Sequence, residues 1–400
     1  MIINPQSNDL INSDKPNIQS NADTQPIYTS LPKPVLKVMG LGGGGCNAIN
    51  RMIELGLGGV EFIAANTDYQ ALQGSLAPVK IQLGPEITRG LGAGGIPEIG
   101  YKSAEESRNE IAQALSGADM VFLAAGMGGG TGTGSIAVAA EVAQSIGAVT
   151  VAIVTTPFSF EMGRRQKNAT AGLQGLQRYT DTLISIPNDR ILSVAPENLQ
   201  LEVAFRLADD VLRQSVQGIT ELITEPGLIN VDFAHIRRLM KQGGGAIMSI
   251  GYGQGPDKAA AAIDQALNHP LLGSLSIDEA SGIIANFTGG SDLCLYEVSE
   301  ALTHLQAQTG AQADLVMGVI HDNRLNEKAQ VILIVTGLGA TAIEEVLPGI
   351  QNIKTPEPEY QPELAYIDQV ETNAQPMHIS MSQTTHNNLD IPAFLRRRRS

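Results

Sequence analysis

The chain has 400 residues, of which 43% are hydrophobic and 17% charged, and it is longer than one hydrophobic core usually supports. Its formal net charge of −15 disfavours contact with nucleic-acid phosphates, so we exclude a nucleic-acid partner. Cys46 and Cys294 lack the spacing of a zinc site or a disulfide framework. No segment has the roughly 18 apolar residues of a membrane span, and the N-terminus is unlike a signal peptide, so we expect a cytoplasmic protein without a direct membrane span.

The N-terminal half predicts an arm followed by an α/β domain. Residues 1–33 are rich in Asn, Ser, Asp and Pro without a period, which predicts a disordered arm. Residues 34–198 alternate apolar runs with helix-like segments, and this rhythm is typical of a parallel, doubly wound, Rossmann-like sheet. The predicted strands are "VLKVMG", "VEFIAANTD", "ADMVFLAAG", "AVTVAIVTTP" and "DTLISIPND", and two helices are predicted over "CNAINRMIELG" and "SIAVAAEVAQSIG".

The C-terminal half begins with one long helix, predicted over residues 199–224, which would lie between two domains. Residues 225–347 contain four apolar runs and two helix-like segments, which predicts a smaller α+β domain whose first part, residues 225–235, is a loop. Residues 348–387 lose all period and predict a flexible linker, and residues 388–400 regain a pattern. The apolar stripe of the long helix consists of Leu201, Phe205, Ala208, Leu212, Ile219 and Leu222.

Two glycine-rich segments each connect a predicted strand to a predicted helix. "GLGGGGCN" at residues 40–47 suits a phosphate at a helix N-terminus, but it also fits the G-x-G-x-x-G of a nicotinamide-dependent oxidoreductase or a simple tight turn. Ordering the six glycines of "AAGMGGGTGTGS", residues 124–135, costs much conformational entropy on folding. This indicates a segment whose backbone itself wraps a ligand. Neither segment contains Lys or Arg, so main-chain amides, helix dipoles and Mg²⁺ would balance the phosphate charge.

An acid and an imidazole lie three residues apart in "GLINVDFAHIRRLM", residues 227–240, at the predicted start of a helix. At that spacing the side chains of Asp232 and His235 emerge on one side of the chain. From the residues alone, the pair is either an ordinary helix start or half of an active site.

Seven motifs follow one another along the chain: "GLGGGGCN", "ANTD", "GLGAGGIPEIG", "GGGTGTG", "TTPFSFEMGRR", "NVDFA" and the terminal "LDIPAFLRRR". In sequence and in order they resemble the FtsZ family of the tubulin superfamily. The resemblance implies a tubulin-like fold with a GTP-binding domain, a long central helix and a smaller C-terminal domain. It also implies a GTPase that polymerises head to tail into protofilaments of the cytokinetic (Z) ring, at the bacterial division site.

The resemblance implies that the two glycine segments hold the phosphates of GTP or GDP with nucleotide-bound Mg²⁺. Ala93 and Gly94 would approach the γ-phosphate. The implied phosphate-binding residues are Gly43, Gly44, Gly45, Cys46, Asn47, Gly129, Gly130, Thr131 and Gly132.

The same resemblance implies that Glu161 and Arg165 meet the ribose, and that Asn188, Phe205 and Asp209 form the guanine pocket. A carboxylate can accept from both the N1–H and the amino group of guanine, and an aromatic ring can stack on the base. Outside the resemblance, Glu161 and Arg165 read as a surface ion pair, and Phe205 reads as a core residue.

Asp232 lies beyond the end of the long helix, about 20 Å along its axis from Asp209. If the helix runs away from the nucleotide, Asp232 cannot reach the γ-phosphate of its own chain, and if subunits stack head to tail it could reach that of the next subunit. The resemblance also implies catalysis by a neighbouring subunit's loop. His235 stands where the family usually has a second Asp. A neutral imidazole could orient or deprotonate water, or His235 could simply begin the helix. A filament protein that uses GTP as a structural switch and hydrolyses it weakly is the alternative function.

The terminal segment "NLDIPAFLRRRRS" predicts a short helix with Ile391, Phe394 and Leu395 on one face. We expect it to bind a membrane-tethering adaptor and regulatory division proteins. The four arginines alone would anchor weakly to anionic lipid, and a disordered basic end is the alternative.

Overall fold

The computed structural model describes residues 33–338 except 162, 194–197, 226, 228, 230, 243–244, 273–276, 278–279 and 310–312. The predicted N-terminal arm up to residue 32, the linker and the C-terminal tail lie outside the described residues.

The described residues form ten strands in one sheet, in the order β3-β2-β1-β4-β5-β6-β7-β10-β8-β9. The strands are β1 Leu36–Leu41, β2 Glu61–Asn66, β3 Val79–Gln82, β4 Met120–Gly126, β5 Val149–Thr156, β6 Thr182–Pro187, β7 Gly245–Gln254, β8 Gly282–Gly289, β9 Asp314–His321 and β10 Lys328–Thr336.

The described helices are α1 Gly42–Glu54, α2 Tyr69–Gln73, α3 Pro85–Thr88, α4 Pro97–Glu106, α5 Arg108–Leu115, α6 Thr131–Ser145, α7 Arg164–Leu176, α8 Asn188–Leu192, α9 Leu201–Thr224, α10 Phe233–Lys241, α11 Lys258–Leu267 and α12 Leu295–Gln308. Short 3₁₀ turns occur at Ser159–Glu161, Gln177–Tyr179 and Asn323–Leu325. No helix among the described residues is long and apolar enough to cross a membrane.

Strands β1 to β6 form the predicted parallel, doubly wound part of the sheet, in which the short edge strand β3 was not predicted. Adjacent residues of β1 point to opposite faces: Val38 packs with α1 and α9, and Met39 packs with α5, α6 and α7. Because helices cover both faces, all six residues of β1 are buried. This is why the predicted strands read as apolar runs in the sequence, whereas β3, with two exposed residues of its four, does not.

Two helices begin four residues earlier than the sequence pattern predicts. Helix α1 starts at Gly42 instead of Cys46, and helix α6 starts at Thr131 instead of Ser135. Glycine has a low helix propensity, so the apolar period becomes visible only after the glycines end. The extra turn of each helix places glycine amides at its N-terminus.

The long helix is confirmed as α9, which begins at Leu201, two residues after the predicted start. Its stripe is buried from Ala208 through Leu212 and Ile219 to Leu222. The first turn differs, because Leu201 is exposed and Phe205 is half-buried. The apolar period therefore extends beyond the part of the helix that lies in the core.

The four strands and two helices predicted after the long helix are present as β7 to β10, α11 and α12, and α10 precedes them. These strands continue the N-terminal sheet, because β7 pairs in parallel with β6 through Leu183↔Gly245 and Ile184↔Ala246. One face of this part packs with α9 through residues such as Ile332. The other face packs with α11 and α12 through residues such as Phe287.

Candidate nucleotide-binding site

The two glycine segments follow adjacent strands. Strand β1 pairs with β2 on one side and with β4 on the other, so the chain reverses its direction of winding between β1 and β4. Ligands of open α/β sheets bind at the carboxyl ends of the strands at such a switch point. Here α1 follows β1 and α6 follows β4, so two helix N-termini with free amides lie at the same place.

Backbone packs directly on backbone between the two glycine segments. A Cβ on Gly45 would lie 2.2 Å from the carbonyl oxygen of Ala124, and one on Gly44 would lie 3.2 Å from the amide nitrogen of Gly126. A Cβ on Gly132 would lie 3.1 Å from the carbonyl oxygen of Leu41 in the first segment. These glycines bring the segments together, which a larger residue would prevent.

Gly129 is different, because a Cβ added there meets no atom of the described residues within 4 Å beyond its chain neighbours. Its neighbour Gly130 is closely packed: a Cβ would lie 2.8 Å from the Cβ of Ala93 and 2.7 Å from the amide of Ile96. The open space at Gly129 lies beside the N-terminus of α6, where the amides favour an anion.

The segment containing Ala93 and Gly94 lies against the second glycine segment, as the prediction for the γ-phosphate requires. Gly94 has a φ of 59°, a left-handed conformation that favours glycine. The side-chain amide of Asn168 in α7 donates to the carbonyl oxygens of both Gly95, at 3.3 Å, and Gly128, at 3.2 Å. One side chain therefore links the two segments.

Three residues of this site, Asn168, Thr67 and Thr133, were not predicted from the sequence. The hydroxyls of Thr67 and Thr131 are 2.6 Å apart, which joins the carboxyl end of β2 to the start of α6. Thr133 accepts a hydrogen bond from the amide of Gly128 at 2.8 Å and so stabilises the turn of the second segment. "ANTD" was a signal for Thr67, since it ends a strand whose neighbour carries the first glycine segment.

Cys46 lies within the first glycine segment, but its side chain faces the core. The thiol is 3.8 Å from the carbonyl oxygen of Gly40 and 3.9 Å from that of Ala65. Burial raises the pKa of Cys46 to about 12, so the thiol stays protonated. Only the main chain of Cys46 can contribute to phosphate binding.

This burial predicts unequal reactivity of the two cysteines. Ellman's reagent should react rapidly with the exposed Cys294 of the native protein and should reach Cys46 only after denaturation. Counting thiols before and after adding guanidinium, with Cys294→Ser as the control, checks this. A rapid reaction in native Cys294→Ser would contradict the orientation of Cys46.

Glu161 and Arg165 are paired, with Oε2 of the acid 3.0 Å from Nε of the base. The side chain of Glu161 is only 5% exposed, and its Oε1 accepts from the amide of Phe158 at 3.0 Å. Burial lowers the pKa of Arg165, and the charge of Glu161 opposes this effect. The pair is thus more buried than an ordinary surface ion pair, and it lies between β5 and α7 next to Gly128, where a Cβ would lie 2.8 Å from the carbonyl oxygen of Arg165.

Phe205 lies at the same edge of the sheet. Its ring packs nearly perpendicular to that of Phe158, two residues after β5, with centroids 5.3 Å apart. Asn188 immediately follows β6; it is buried, and its Oδ1 has no hydrogen-bond partner among the described residues. A buried acceptor without a partner is costly unless a ligand donates to it. Asp209 lies one turn after Phe205 on α9 and is half-buried.

Asp232 lies at the opposite edge of the sheet. Helix α9 starts at the carboxyl end of β5, where Phe205 contacts Phe158, and it ends before β2, where a Cβ on Gly59 would lie 2.7 Å from Thr224. Helix α10 is also at that amino edge, because Thr182, the first residue of β6, donates to the carbonyl oxygen of Met240 at 2.7 Å. The eight residues of β5 separate the two edges by about 25 Å.

The Asp232 side chain is exposed and caps α10, since its Oδ1 accepts from the amide of Ala234 at 3.0 Å. His235 does not share this arrangement. Its Nε2 lies 3.3 Å from Oδ1 of Asp314, and Arg238 lies 2.7 Å from Oδ2 of the same carboxylate. The imidazole is thus engaged with β9 of its own chain, and its predicted catalytic role stays a prediction.

Among the described residues, no group of three or more His, Cys, Asp or Glu side chains is placed to hold a metal ion. At the glycine segments the chain offers amides and the hydroxyls of Thr67 and Thr131. These groups suit phosphate oxygens, and the Mg²⁺ prediction concerns an ion that arrives with the nucleotide.

The fold and the site define an α/β nucleotide-binding protein whose two glycine segments meet at one switch point. Residues 35–196 match the Tubulin/FtsZ family, GTPase domain, and residues 244–339 match the FtsZ family, C-terminal domain.

Solved structures agree. A point mutant of FtsZ from M. jannaschii is 44% identical, covering 76% of this chain and 91% of its own, with a TM-score of 0.74. An empty FtsZ dimer from M. jannaschii is 41% identical, covering 82% of this chain and 96% of its own, with a TM-score of 0.76. CetZ2 from Haloferax volcanii, a GTPγS-bound protofilament, is 19% identical over 78% of this chain and 97% of its own, with a TM-score of 0.65, which shows a shared fold. The chain belongs to the FtsZ family and carries its GTPase domain.

Proposed function

We propose that this GTPase polymerises head to tail and that the Asp232 loop of one subunit completes the active site of the next. One observation carries the proposal: the exposed Asp232 and the glycine segments lie at opposite edges of the same sheet. A carboxylate about 25 Å from its own nucleotide site can act there only in another molecule. A contact between opposite ends of identical subunits is heterologous and does not close, so it produces a filament.

At the carboxyl edge of the sheet, different residues would bind the phosphates and the guanine base. The amides of α1 and α6 would bind the phosphates, with the open space at Gly129 next to them. The buried Oδ1 of Asn188 and the half-buried ring of Phe205 would bind guanine, together with Asp209. Mg²⁺ carried by the nucleotide would neutralise phosphate charge that no Lys or Arg of the glycine segments meets.

Asp232 would position the water molecule that attacks the γ-phosphate. Its carboxylate would accept a hydrogen bond from a water molecule and orient that water toward the γ-phosphorus of the neighbouring subunit. The bond from that phosphorus to the bridging oxygen would break, releasing GDP and phosphate. Because α10 holds Asp232 at its first turn, the carboxylate projects from a rigid element.

Related structures support assembly: one is an FtsZ dimer and another is a CetZ2 protofilament. We extend this to a ring-forming filament in bacterial cell division, located in the cytoplasm at the division site. The tail at residues 388–400 would bind a membrane-tethering adaptor and regulatory proteins. These roles rest on the sequence motifs, and the tail and linker lie outside the described residues.

Sedimentation with phosphate release followed in parallel tests the proposal. We expect pelleting with GTP and with a slowly hydrolysed GTP analogue, no pelleting with NAD, and phosphate release only with GTP above a threshold protein concentration. Release that is proportional to protein concentration from zero would contradict a site shared between subunits. Pelleting with GTP but almost no phosphate release would instead favour the GTP-gated structural filament.

A further inference from the structure

Strand β9 contacts the chain both before and after Asp232, the residue that the loop at residues 225–235 carries. Before Asp232, Ile229 forms an antiparallel bridge with Val319, and a Cβ on Gly227 would lie 2.7 Å from the carbonyl oxygen of Val319. After Asp232, His235 and Arg238 contact Asp314, the first residue of β9. The segment that carries Asp232 is therefore fixed to one strand at two points.

The Asp314 cluster consists of Asp314, His235 and Arg238. His235 and Arg238 are three residues apart on one face of α10, so a single carboxylate reaches both. Nη2 of Arg238 lies 2.7 Å from Oδ2, and Nε2 of His235 lies 3.3 Å from Oδ1 and 3.4 Å from Oδ2. Burial alone would raise the pKa of Asp314, but the hydrogen bonds from Arg238 and His235 hold it below its usual value.

The cluster also determines which side chain position 235 accepts. A carboxylate on the shorter Asp side chain would face the charged carboxylate of Asp314 without a hydrogen to donate, and like charges repel. An imidazole can share a hydrogen bond with Asp314, and it gains attraction when protonated. His235 and Asp314 are therefore interdependent in this chain.

We propose that Asp314 is a positioning residue for GTP hydrolysis, which orients helix α10, and with it Asp232, through His235 and Arg238. The proposal rests on the proposed role of Asp232. The three side chains are 31%, 36% and 64% exposed, so their pairing contributes little to global stability. The expected consequence is a looser first turn of α10 in an otherwise intact fold.

The test compares Asp314→Ala with Asp264→Ala, which removes a more exposed His–Asp pair elsewhere. In that pair His304 is 44% and Asp264 57% exposed, and the two side chains lie 2.8 Å apart. We expect Asp314→Ala to lower kcat about tenfold through misplacement of Asp232, with unchanged GTP affinity and Tm. Amide hydrogen exchange of residues 231–241 should accelerate in this variant. The control should change none of these quantities.

A double substitution at positions 235 and 314 tests whether kcat can be restored. His235→Asp alone should lower kcat, since it places two carboxylates together, and adding Asp314→Asn should restore kcat because an amide can donate to the new carboxylate. Equal kcat in the single and double variants would overturn the interdependence.

The two proposals fail differently. If Asp232→Asn keeps normal turnover, the proposed function fails. If Asp232→Asn loses turnover while Asp314→Ala keeps both normal kcat and normal exchange, the positioning role of Asp314 fails and the proposed function stands. Equal losses in Asp314→Ala and Asp264→Ala would also overturn the positioning role, since they would reflect a general effect of losing a surface ion pair.

Discussion

Asp232→Ala is expected to lower GTP turnover about 100- to 1,000-fold, the usual effect of removing one preorganised electrostatic group from an active site. GTP binding should be unchanged, because Asp232 lies at the opposite edge of the sheet from the glycine segments. Phosphate release at saturating GTP and equilibrium binding of a fluorescent GTP analogue measure the two quantities separately. Normal turnover in a properly folded variant would refute the assignment.

A second substitution separates catalysis from folding. Asp232 caps α10, and replacing such a cap with Ala costs about 1 kcal/mol. Asn caps helices about as well as Asp but carries no charge. Asp232→Asn should therefore keep the wild-type Tm and still lose turnover, and a loss of turnover in Asp232→Ala alone would indicate a structural role.

Gly129→Ala is expected to weaken GTP binding at least about tenfold without lowering the Tm of the nucleotide-free protein. The added methyl group enters space that is open in the structure, so the fold tolerates it. The same methyl group would occupy the space proposed for the phosphates, where a displaced hydrogen bond to a charged group costs about 1.5–3 kcal/mol. Isothermal titration with GTP and thermal unfolding without it check the two parts.

Gly175→Ala is the matched control. Gly175 is also half-buried, and a Cβ there also meets nothing within 4 Å among the described residues, but it lies in the last turn of α7. This substitution should leave GTP binding unchanged and stabilise the fold by about 0.4–1 kcal/mol. Similar losses of GTP affinity in both variants would show that the space at Gly129 is not a phosphate site.

Mixing the two defective variants tests the shared site directly. Asp232→Ala keeps the nucleotide site, and Gly129→Ala keeps the Asp232 loop. At a GTP concentration that saturates Asp232→Ala but not Gly129→Ala, each variant alone should hydrolyse GTP slowly. The mixture should hydrolyse more than the sum of the two, because the loop of the second variant meets the nucleotide of the first. If the active site lay within one subunit, the mixture would only equal that sum.

The sequence predicted the elements well where a pattern of side chains produces them. Apolar runs predicted five strands of the parallel part, because helices bury both faces of these strands, and the apolar stripe predicted α9, because burial along that helix follows the helical period. The starts of α1 and α6 were wrong by four residues, because glycine has no side chain from which a period can be detected. The resemblance of the motifs to the FtsZ family is confirmed by the family matches, and the site residues that it implies stay predictions.

The individual contacts of the site were less predictable. Thr67 and Thr131 are 64 positions apart, yet their hydroxyls touch, since β2 and β4 flank β1 in the sheet. Asn168 links Gly95 to Gly128, because the start of α7 lies at the carboxyl edge of the sheet, where both of these glycines are. Cys46 was grouped with the phosphate-binding residues by its position in a motif, and only the helix phase shows that its thiol faces the core.

The sequence by itself determined the chemistry available to this protein: two glycine segments without cations, an exposed acid at a helix start, and a histidine in place of a second acid. These depend on residue type and local spacing. The tertiary structure decided which of these groups meet, because contacts between distant segments depend on strand order and helix direction. It separated Asp232 from the proposed nucleotide site of its own chain by the length of the strands. It also placed Asp314 beside His235, although His235 is 79 positions earlier in the chain.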